Sequence, residues 1–243
     1  EKSGMSYATA LSKYGILNGM VLPVITFPTV LMNSYSMLLI PEISTYLAQK
    51  NYKAINFVCN KIFKITSAFS FCVCSIFLFF SSELGLVIYN NLESGYYFRI
   101  LAPLIFFMYI DNVIDSILKG LNKQFGVMCC NILDLTVTTC FIYFFLPIIG
   151  VTGYVISIFI SELLNFTVSL FQLIKYAKLK IDLIDWIIIP IICCFVAFFV
   201  LSFIVLSFTN IIINLILNIV LFIILYFITF CCLNYLKLKY QKK

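Results

Sequence analysis

The feature that most constrains this chain is a series of long, unbroken apolar runs. The stretch from Ile211 to Leu236 carries no charged residue, and about 20 apolar residues are enough to cross a lipid bilayer. Only 11% of the residues are charged and the mean hydropathy is +1.10, whereas a soluble domain is about 25% charged. A water-soluble globule could not bury this much apolar surface in one core, so the sequence predicts an integral membrane protein.

The length of the apolar runs also determines the fold class. Backbone groups in lipid must be paired within the protein, which allows only helices or a closed barrel, and a barrel would show alternating segments of about ten residues. The sequence therefore predicts an all-α, polytopic membrane helix bundle with about seven transmembrane helices. The predicted spans cover residues 14–40, 57–89, 96–118, 125–146, 151–174, 184–206 and 211–236.

The basic residues fall on alternate connections between these spans. Because cytoplasmic loops are enriched in lysine and arginine, the pattern places the chain in the cytoplasmic membrane with its N-terminus outside and its C-terminus in the cytoplasm. The opposite side has only Lys2, Lys13 and Arg99. The cytoplasmic group consists of Lys50, Lys53, Lys61 and Lys64, then Lys119 and Lys123, then Lys175, Lys178 and Lys180, and finally Lys237, Lys239, Lys242 and Lys243.

The start of the chain suggests a fragment. The first residue is Glu1 rather than methionine, no signal peptide precedes the first span, and an external N-terminus without a signal is unusual. We expect the chain to be part of a longer protein with at least one helix upstream.

The composition argues against an enzyme. There is no histidine, which is the usual general base, and no nucleotide-binding loop or nucleophile elbow. The ten cysteines lie inside apolar runs, where they serve as small apolar residues, so we expect no metal site and no cofactor. The lysines flank the spans and suit anionic lipid headgroups rather than nucleic acid.

Polar stripes within the spans are the candidate functional residues. Charges inside a bilayer are costly and often functional; Asp111, Asp115 and Lys119 are spaced by four and share a helical face. A polar cavity would explain why several spans carry such stripes, and interhelical hydrogen bonds with charged ends reaching the interface are the alternative. The candidate cavity-lining residues are Asn33, Asp111, Asp115, Lys119, Asn131, Asp134, Glu162 and Asn165.

Two prolines five residues apart mark the first span as a candidate moving helix. Proline removes a backbone donor and permits a kink. Pro23 and Pro28 are therefore the hinge candidates.

Several segments carry a resemblance to known proteins. They are YGILNGM at 14–20, PEIS at 41–44, ILAPL at 100–104, ILKGL at 117–121, NILD at 131–134 and ISELLN at 160–165. These segments resemble the C-terminal half of stage V sporulation protein B-like polysaccharide biosynthesis proteins, a branch of the MOP exporter superfamily that also holds lipid II flippases and MATE drug exporters.

The resemblance implies an architecture and a function. Members have fourteen helices, in two six-helix lobes plus two, so residues 1–180 would be second-lobe helices and 181–243 two additional spans with a basic tail; the first lobe would be a missing partner. The implied function is flipping a lipid-linked saccharide or peptidoglycan precursor by alternating access, linked to sporulation or cell-wall synthesis. Lys61, Lys64 and Lys119 would then be the cations nearest a substrate pyrophosphate.

Other functions remain open. A cation-coupled exporter of small molecules, in the same superfamily, would use Glu162 or Asp134 as its titrating group. A membrane glycosyl- or acyltransferase is disfavoured by the short loops and the lack of histidine, and a structural anchor for a partner is the remaining class.

Overall fold

The computed structural model describes residues 7–177, 182–204 and 210–241, and within these ranges the chain is helical with no strand. The predicted all-α fold class is confirmed. The helices are α1 (Tyr7–Gly15), α2 (Leu22–Thr26), α3 (Thr29–Ala48), α4 (Tyr52–Phe79), α5 (Ser81–Tyr89), α6 (Leu92–Leu101), α7 (Leu104–Gly120), α8 (Gln124–Ile149), α9 (Val151–Ala177), α10 (Ile189–Phe203) and α11 (Ile211–Gln241), with π-helical turns at Ile16–Val21 and Ile184–Ile188.

The number of membrane-crossing helices agrees with the sequence. Six stretches of the described residues are long and apolar enough to span a bilayer, and the bent pair α6 and α7 makes seven if it forms one span. The protein is therefore a multi-pass membrane protein. The six stretches are Ala8–Thr26, Tyr52–Phe79, Gln124–Ile149, Val151–Ala177, Ile184–Phe203 and Ile211–Lys237. Lys2, Lys178, Lys180, Lys242, Lys243 and the predicted end of the sixth span at Leu206 lie outside the described residues.

The chain folds into two compact units. The first contains residues 1–66 and 103–181, and the second contains residues 67–102 and 182–243. The second unit thus combines the C-terminal helices with the segment around α5 and α6. The predicted boundary near residue 180 comes from the lobe plan implied by the family resemblance and not from the packing of the helices. It stays a prediction.

The first predicted span is interrupted at both of its prolines. Pro23 lies at the start of α2, directly after the π-helical turn, and Pro28 immediately precedes α3. A proline has no N–H and its ring excludes the carbonyl of residue i−4, so each break falls where the helical hydrogen bond is lost. Thr26 Oγ1 donates to the carbonyl of Leu22 at 2.9 Å, and Thr29 Oγ1 donates to Thr26 at 2.6 Å. The Thr29 hydroxyl thus satisfies the Thr26 carbonyl in a place without water, because the Val30 amide bonds to Phe27 instead, at 3.2 Å.

Two further predicted spans are also broken in the structure. The second is divided at Phe80, whose φ of −107° and ψ of 18° are not helical. α5 is therefore a separate helix. The third is divided at Ala102 and Pro103, and Pro103 immediately precedes α7 because proline has no N–H to continue a helix. The Phe80 break has no proline or glycine beside it; Ser81, Ser82 and Glu83, which follow it, are the local signal for the start of a new helix.

The first unit is joined by hydrogen bonds from side chains to backbone carbonyls. Tyr109 on α7 is fully buried, and its hydroxyl donates to Ile25 on α2 at 2.9 Å. Ser44 on α3 donates to the carbonyl of Gly120 at 2.9 Å, where a Cβ on Gly120 would lie only 3.0 Å from the Ile43 side chain. These contacts fix α7 against the helices around the first two prolines.

The second unit contains a close helix hairpin, α5 and α6. Asn90 adopts the left-handed conformation with φ 51°, and the side chain of Asn91 caps α6 by accepting from the Glu93 amide at 2.8 Å. Gly85 and Gly95 lie at the crossing, where a Cβ on Gly85 would be 2.6 Å from the Gly95 nitrogen. Glycine is required at both positions because the two backbones are in contact.

The rest of the second unit packs α10 and α11 around an apolar cluster that includes Phe222 and Tyr226. The Tyr226 hydroxyl donates to the Ala68 carbonyl at 2.8 Å, and Lys237 pairs with Asp185 at 2.5 Å. Buried cysteines, among them Cys193, contribute to this cluster, and all ten cysteines are free thiols. They act here as small apolar side chains.

The glycine crossing gives a prediction about stability. Gly95→Ala places its Cβ 2.8 Å from the Ser81 carbonyl oxygen, and Gly85→Ala meets the Gly95 backbone, so each should destabilise the protein by about 1–3 kcal/mol. Gly19→Ala is the matched control, because nothing lies within 4 Å of its Cβ position. Thermal unfolding in detergent should show a lower midpoint for the first two variants alone; equal midpoints for all three would contradict the close crossing.

Candidate functional site

The candidate site begins with two carboxylates one turn apart on α7. Asp111 is only 8% exposed and Asp115 is half-buried. α7 packs against both α8 and α9, so these side chains lie where three helices meet. Buried charge is costly unless it is paired or hydrogen-bonded, which makes the neighbours of both groups decisive.

Asn165 of α9 provides the direct link to α7. Its Nδ2 donates to Asp111 Oδ2 at 2.8 Å. Ser169, one turn further along α9, is 1% exposed and lies next to the same carboxylate. The structure therefore brings together Asp111 and Asn165, two of the residues predicted from the sequence.

Asp134 of α8 is held by a chain of hydroxyl groups. Thr138 Oγ1 donates to Ser161 Oγ at 2.6 Å, and Ser161 Oγ donates to Asp134 Oδ1. Asp134 is half-buried. This series of hydrogen bonds runs from α8 to α9 and back, so it joins the two helices close to the other polar groups.

Glu162 adds a fourth carboxylate to the same region. It is half-buried, and Asp111, Asp134 and Asp115 are its electrostatic neighbours. None of the four carboxylates has a lysine or arginine within ion-pair distance in the described part of the chain. Hydrogen-bond donors, water or a bound cation must therefore compensate their charge.

Several polar atoms of this region have no partner in the described residues. They are buried and lack a hydrogen bond, which is unusual in a folded protein. Most of them are acceptors, so a ligand that supplies hydroxyl or amino hydrogens would satisfy them. These atoms are Asp111 Oδ1, Asp115 Oδ1, Asn165 Oδ1 and Ser169 Oγ.

A cavity of about 210 Å³ lies between α8 and α9 beside these groups. Its wall is mostly apolar, with Asp134, Ser161 and Asn165 as the polar positions. A cavity of this kind suits a ligand with both apolar and polar parts. The remaining lining residues are Cys130, Leu133, Val137, Leu164 and Val168.

The structure distributes the other predicted site residues as follows. Asn131 lies next to Asp115, but much of its side chain is exposed. Asn33 is half-buried on α3 and has no hydrogen bond to the four carboxylates in the described ranges. Lys61 and Lys64 lie on α4, and Lys119 is exposed at the end of α7. Their roles, and the hinge roles of Pro23 and Pro28, stay predictions.

Sequence reasoning gave Ser161 no role, although its hydroxyl is the central link of the site. The signal was present: Gly153, Ser157, Ser161, Asn165 and Ser169 are spaced by four along α9 and share one face. Small residues at this spacing let helices approach closely in membranes, and a Cβ on Gly153 would lie 2.6 Å from the Phe145 carbonyl oxygen.

The four carboxylates do not form a ready metal site. Within residues 7–177, 182–204 and 210–241, no three His, Cys, Asp or Glu side chains are grouped closely enough to hold a metal ion.

Comparison with known proteins places this arrangement in a family. The MatE family model matches residues 4–144, more than half of the chain. The chain is 24% identical to Stage V sporulation protein B of Bacillus subtilis (strain 168) over 164 residues, which cover 64% of this chain and 30% of that protein. It thus spans about a third of the length of this curated relative. No solved structure matches.

The family match and the curated relative agree with the multi-pass helical fold and with the resemblance in the segments at 14–20 and 100–104. The chain belongs to the MatE family, within the MOP exporter superfamily.

Proposed function

We propose that this chain forms part of a flippase that moves a lipid-linked saccharide or peptidoglycan precursor from the inner to the outer leaflet of the cytoplasmic membrane. A flippase must carry a large polar headgroup through hydrocarbon while the lipid tails remain in the bilayer. It does so with a polar cavity that opens alternately to each side. In this proposal the polar groups of α7, α8 and α9 form one wall of that cavity.

The observation that carries the proposal is the excess of unpaired acceptors on these helices. Asp111, Asp115 and Asn165 each present a buried oxygen without a partner in the described residues. Sugars carry many hydroxyl groups, and a carboxylate that accepts a hydroxyl forms a strong, charge-assisted hydrogen bond. The chemistry of the site therefore matches a saccharide better than a phosphate.

A substrate pyrophosphate would need a second set of contacts. The four carboxylates would repel it, so its partners would be the lysines Lys61, Lys64 and Lys119, or residues of a first lobe outside this chain. The match to about a third of a longer relative supports a partner lobe. The chain would then supply second-lobe helices and two additional ones. Membrane lipids are the other expected partner, and nucleic acid is not one.

Cation-coupled export of a small molecule is the second candidate function. The absence of a basic partner within ion-pair distance of the four carboxylates, in the part of the chain the structure describes, favours it. A proton or a sodium ion could compensate their charge, with Glu162 or Asp134 as the titrating group. The MatE match is equally consistent with either function.

Transport by the assembled two-lobed protein in liposomes tests the assigned site. Asp134→Asn/Glu162→Gln should slow the flipping of a fluorescent lipid-linked oligosaccharide by roughly tenfold or more, since charge-assisted hydrogen bonds are lost. The amide oxygen introduced by Asp134→Asn would still accept from Ser161, so folding should be preserved. A membrane-impermeant quencher, added outside, measures how fast the labelled lipid reaches the outer leaflet.

The control and the alternative are tested in the same liposomes. Glu42→Gln/Glu83→Gln removes two exposed carboxylates and should leave flipping unchanged. Normal flipping by the Asp134/Glu162 variant would contradict the assigned site. Absence of flipping in the unaltered protein, together with gradient-driven uptake of a small cationic dye, would favour the exporter.

The proposed orientation gives an independent prediction. A fluorescent protein that folds only in the cytoplasm should be bright when fused after the C-terminus, because the basic connections lie on that side. Alkaline phosphatase, which is active only outside, should be active when fused at Asn91, between α5 and α6. The reverse pattern at both positions would contradict the orientation.

A further inference from the structure

A second cavity, of about 490 Å³, lies where the connection between α7 and α8 meets the end of α9. It is separate from the carboxylate site in its chemistry, since no acidic residue lines it. It lies at the ends of the helices, where a membrane protein meets the headgroup region. The residues around it are Asn122, Lys123, Phe125, Gly126, Phe171, Gln172, Lys175 and Tyr176.

Two ammonium groups give this cavity its charge. Lys123 Nζ lies 4.4 Å from the centre of the Tyr176 ring, and Lys175 Nζ lies 5.9 Å from it. Neither lysine has a carboxylate within ion-pair distance in the described residues. The ring orients the two ammonium groups through cation–π contacts but does not neutralise them, so the cavity is positive.

The start of α8 adds backbone donors to the same cavity. α8 begins at Gln124 without a side-chain cap, so the amides of its first turn are available to an acceptor. The helix dipole also favours an anion at this end. The two lysines and the free amides therefore all attract an anionic group.

Gln172 and Gly126 shape the floor of the cavity. Gln172 Nε2 donates to Cys130 Sγ at 3.1 Å, while its Oε1 is buried without a partner in the described residues. A Cβ on Gly126 would lie 2.8 Å from that oxygen, so a larger residue would close the crevice.

The rim of the cavity is apolar. Phe125 is 74% exposed and Phe171 is 69% exposed. Met128 and Ile132 continue the exposed apolar surface along α8. A soluble anion would gain nothing from such a rim, whereas a lipid presents an anionic head and an apolar body together.

We propose that this cavity binds the phosphodiester headgroup of an anionic membrane lipid. Lys123, Lys175 and the first amides of α8 contact the phosphate oxygens. Phe125 and Phe171 lie along the first part of the acyl chains. The site does not depend on the transported substrate, so it stands whether the protein is a flippase or a small-molecule exporter.

The test is native mass spectrometry of the purified full chain, titrated with phosphatidylglycerol or with phosphatidylcholine. We expect the chain to prefer phosphatidylglycerol, and Lys123→Gln/Lys175→Gln to weaken its binding by roughly tenfold or more. Lys123→Arg/Lys175→Arg keeps both charges and should keep most of the affinity. Lys50→Gln/Lys53→Gln removes two exposed lysines elsewhere and should leave the affinity unchanged.

Thermal unfolding of each variant tests whether a loss of lipid binding is caused by a loss of folding. An equal loss of affinity for phosphatidylglycerol in the Lys123/Lys175 and Lys50/Lys53 glutamine variants would overturn the proposal, because it would mean that the lipid is bound by general charge attraction. Unchanged binding by the Lys123/Lys175 variant would overturn it as well. Millimolar inorganic phosphate should not displace the lipid; displacement would assign the cavity to a soluble anion instead.

Discussion

The hydrogen bond between Asn165 and Asp111 is the interaction on which the first unit most depends. Hydrocarbon offers no water to polar side chains, so those of α7, α8 and α9 must satisfy one another. The Asn165 amide reaches α7, and Ser161 joins Asp134 and Thr138 of α8. The three helices are thereby held at the same depth. The acceptors left over are what make this region a candidate site rather than only a packing contact.

The same constraint explains how the broken helices are tolerated. Next to Pro28 the Thr26 carbonyl lacks its regular backbone donor, and the Thr29 hydroxyl bonds to it instead. Tyr109 and Tyr226, both fully buried, each donate to a carbonyl of another helix. Side-chain donors thus support the fold at the positions where regular helix cannot.

α8 and α9 carry two different chemistries along their length. Around Asp134 and Asn165 the groups are acceptors, which suit hydroxyl donors or a cation. At Lys123 and Lys175 they are donors, which suit a phosphate. One helix pair could therefore hold a transport surface and a lipid contact without the two competing for the same ligand.

Sequence patterns were sufficient for the membrane class, the helical fold and the family, because these depend on apolar length and on motifs that remain contiguous in the chain. They also named Asp111, Asp134 and Asn165 as candidates, since intramembrane polar residues are rare, and each of these side chains forms a hydrogen bond between helices. They did not assign a role to Ser161, because a single serine can also bond to its own helix, and its place in the row of small and polar residues along α9 was not used.

A double-mutant cycle on Asp111 and Asn165 tests the central claim most directly. The unfolding free energies of the unaltered protein, Asp111→Ala, Asn165→Ala and the double variant would be measured by denaturant titration in mixed micelles. We predict a favourable coupling of about 0.5–2 kcal/mol, the range for hydrogen bonds between membrane helices. Strictly additive effects would contradict the account, because they would show that these side chains do not hold α7 and α9 together.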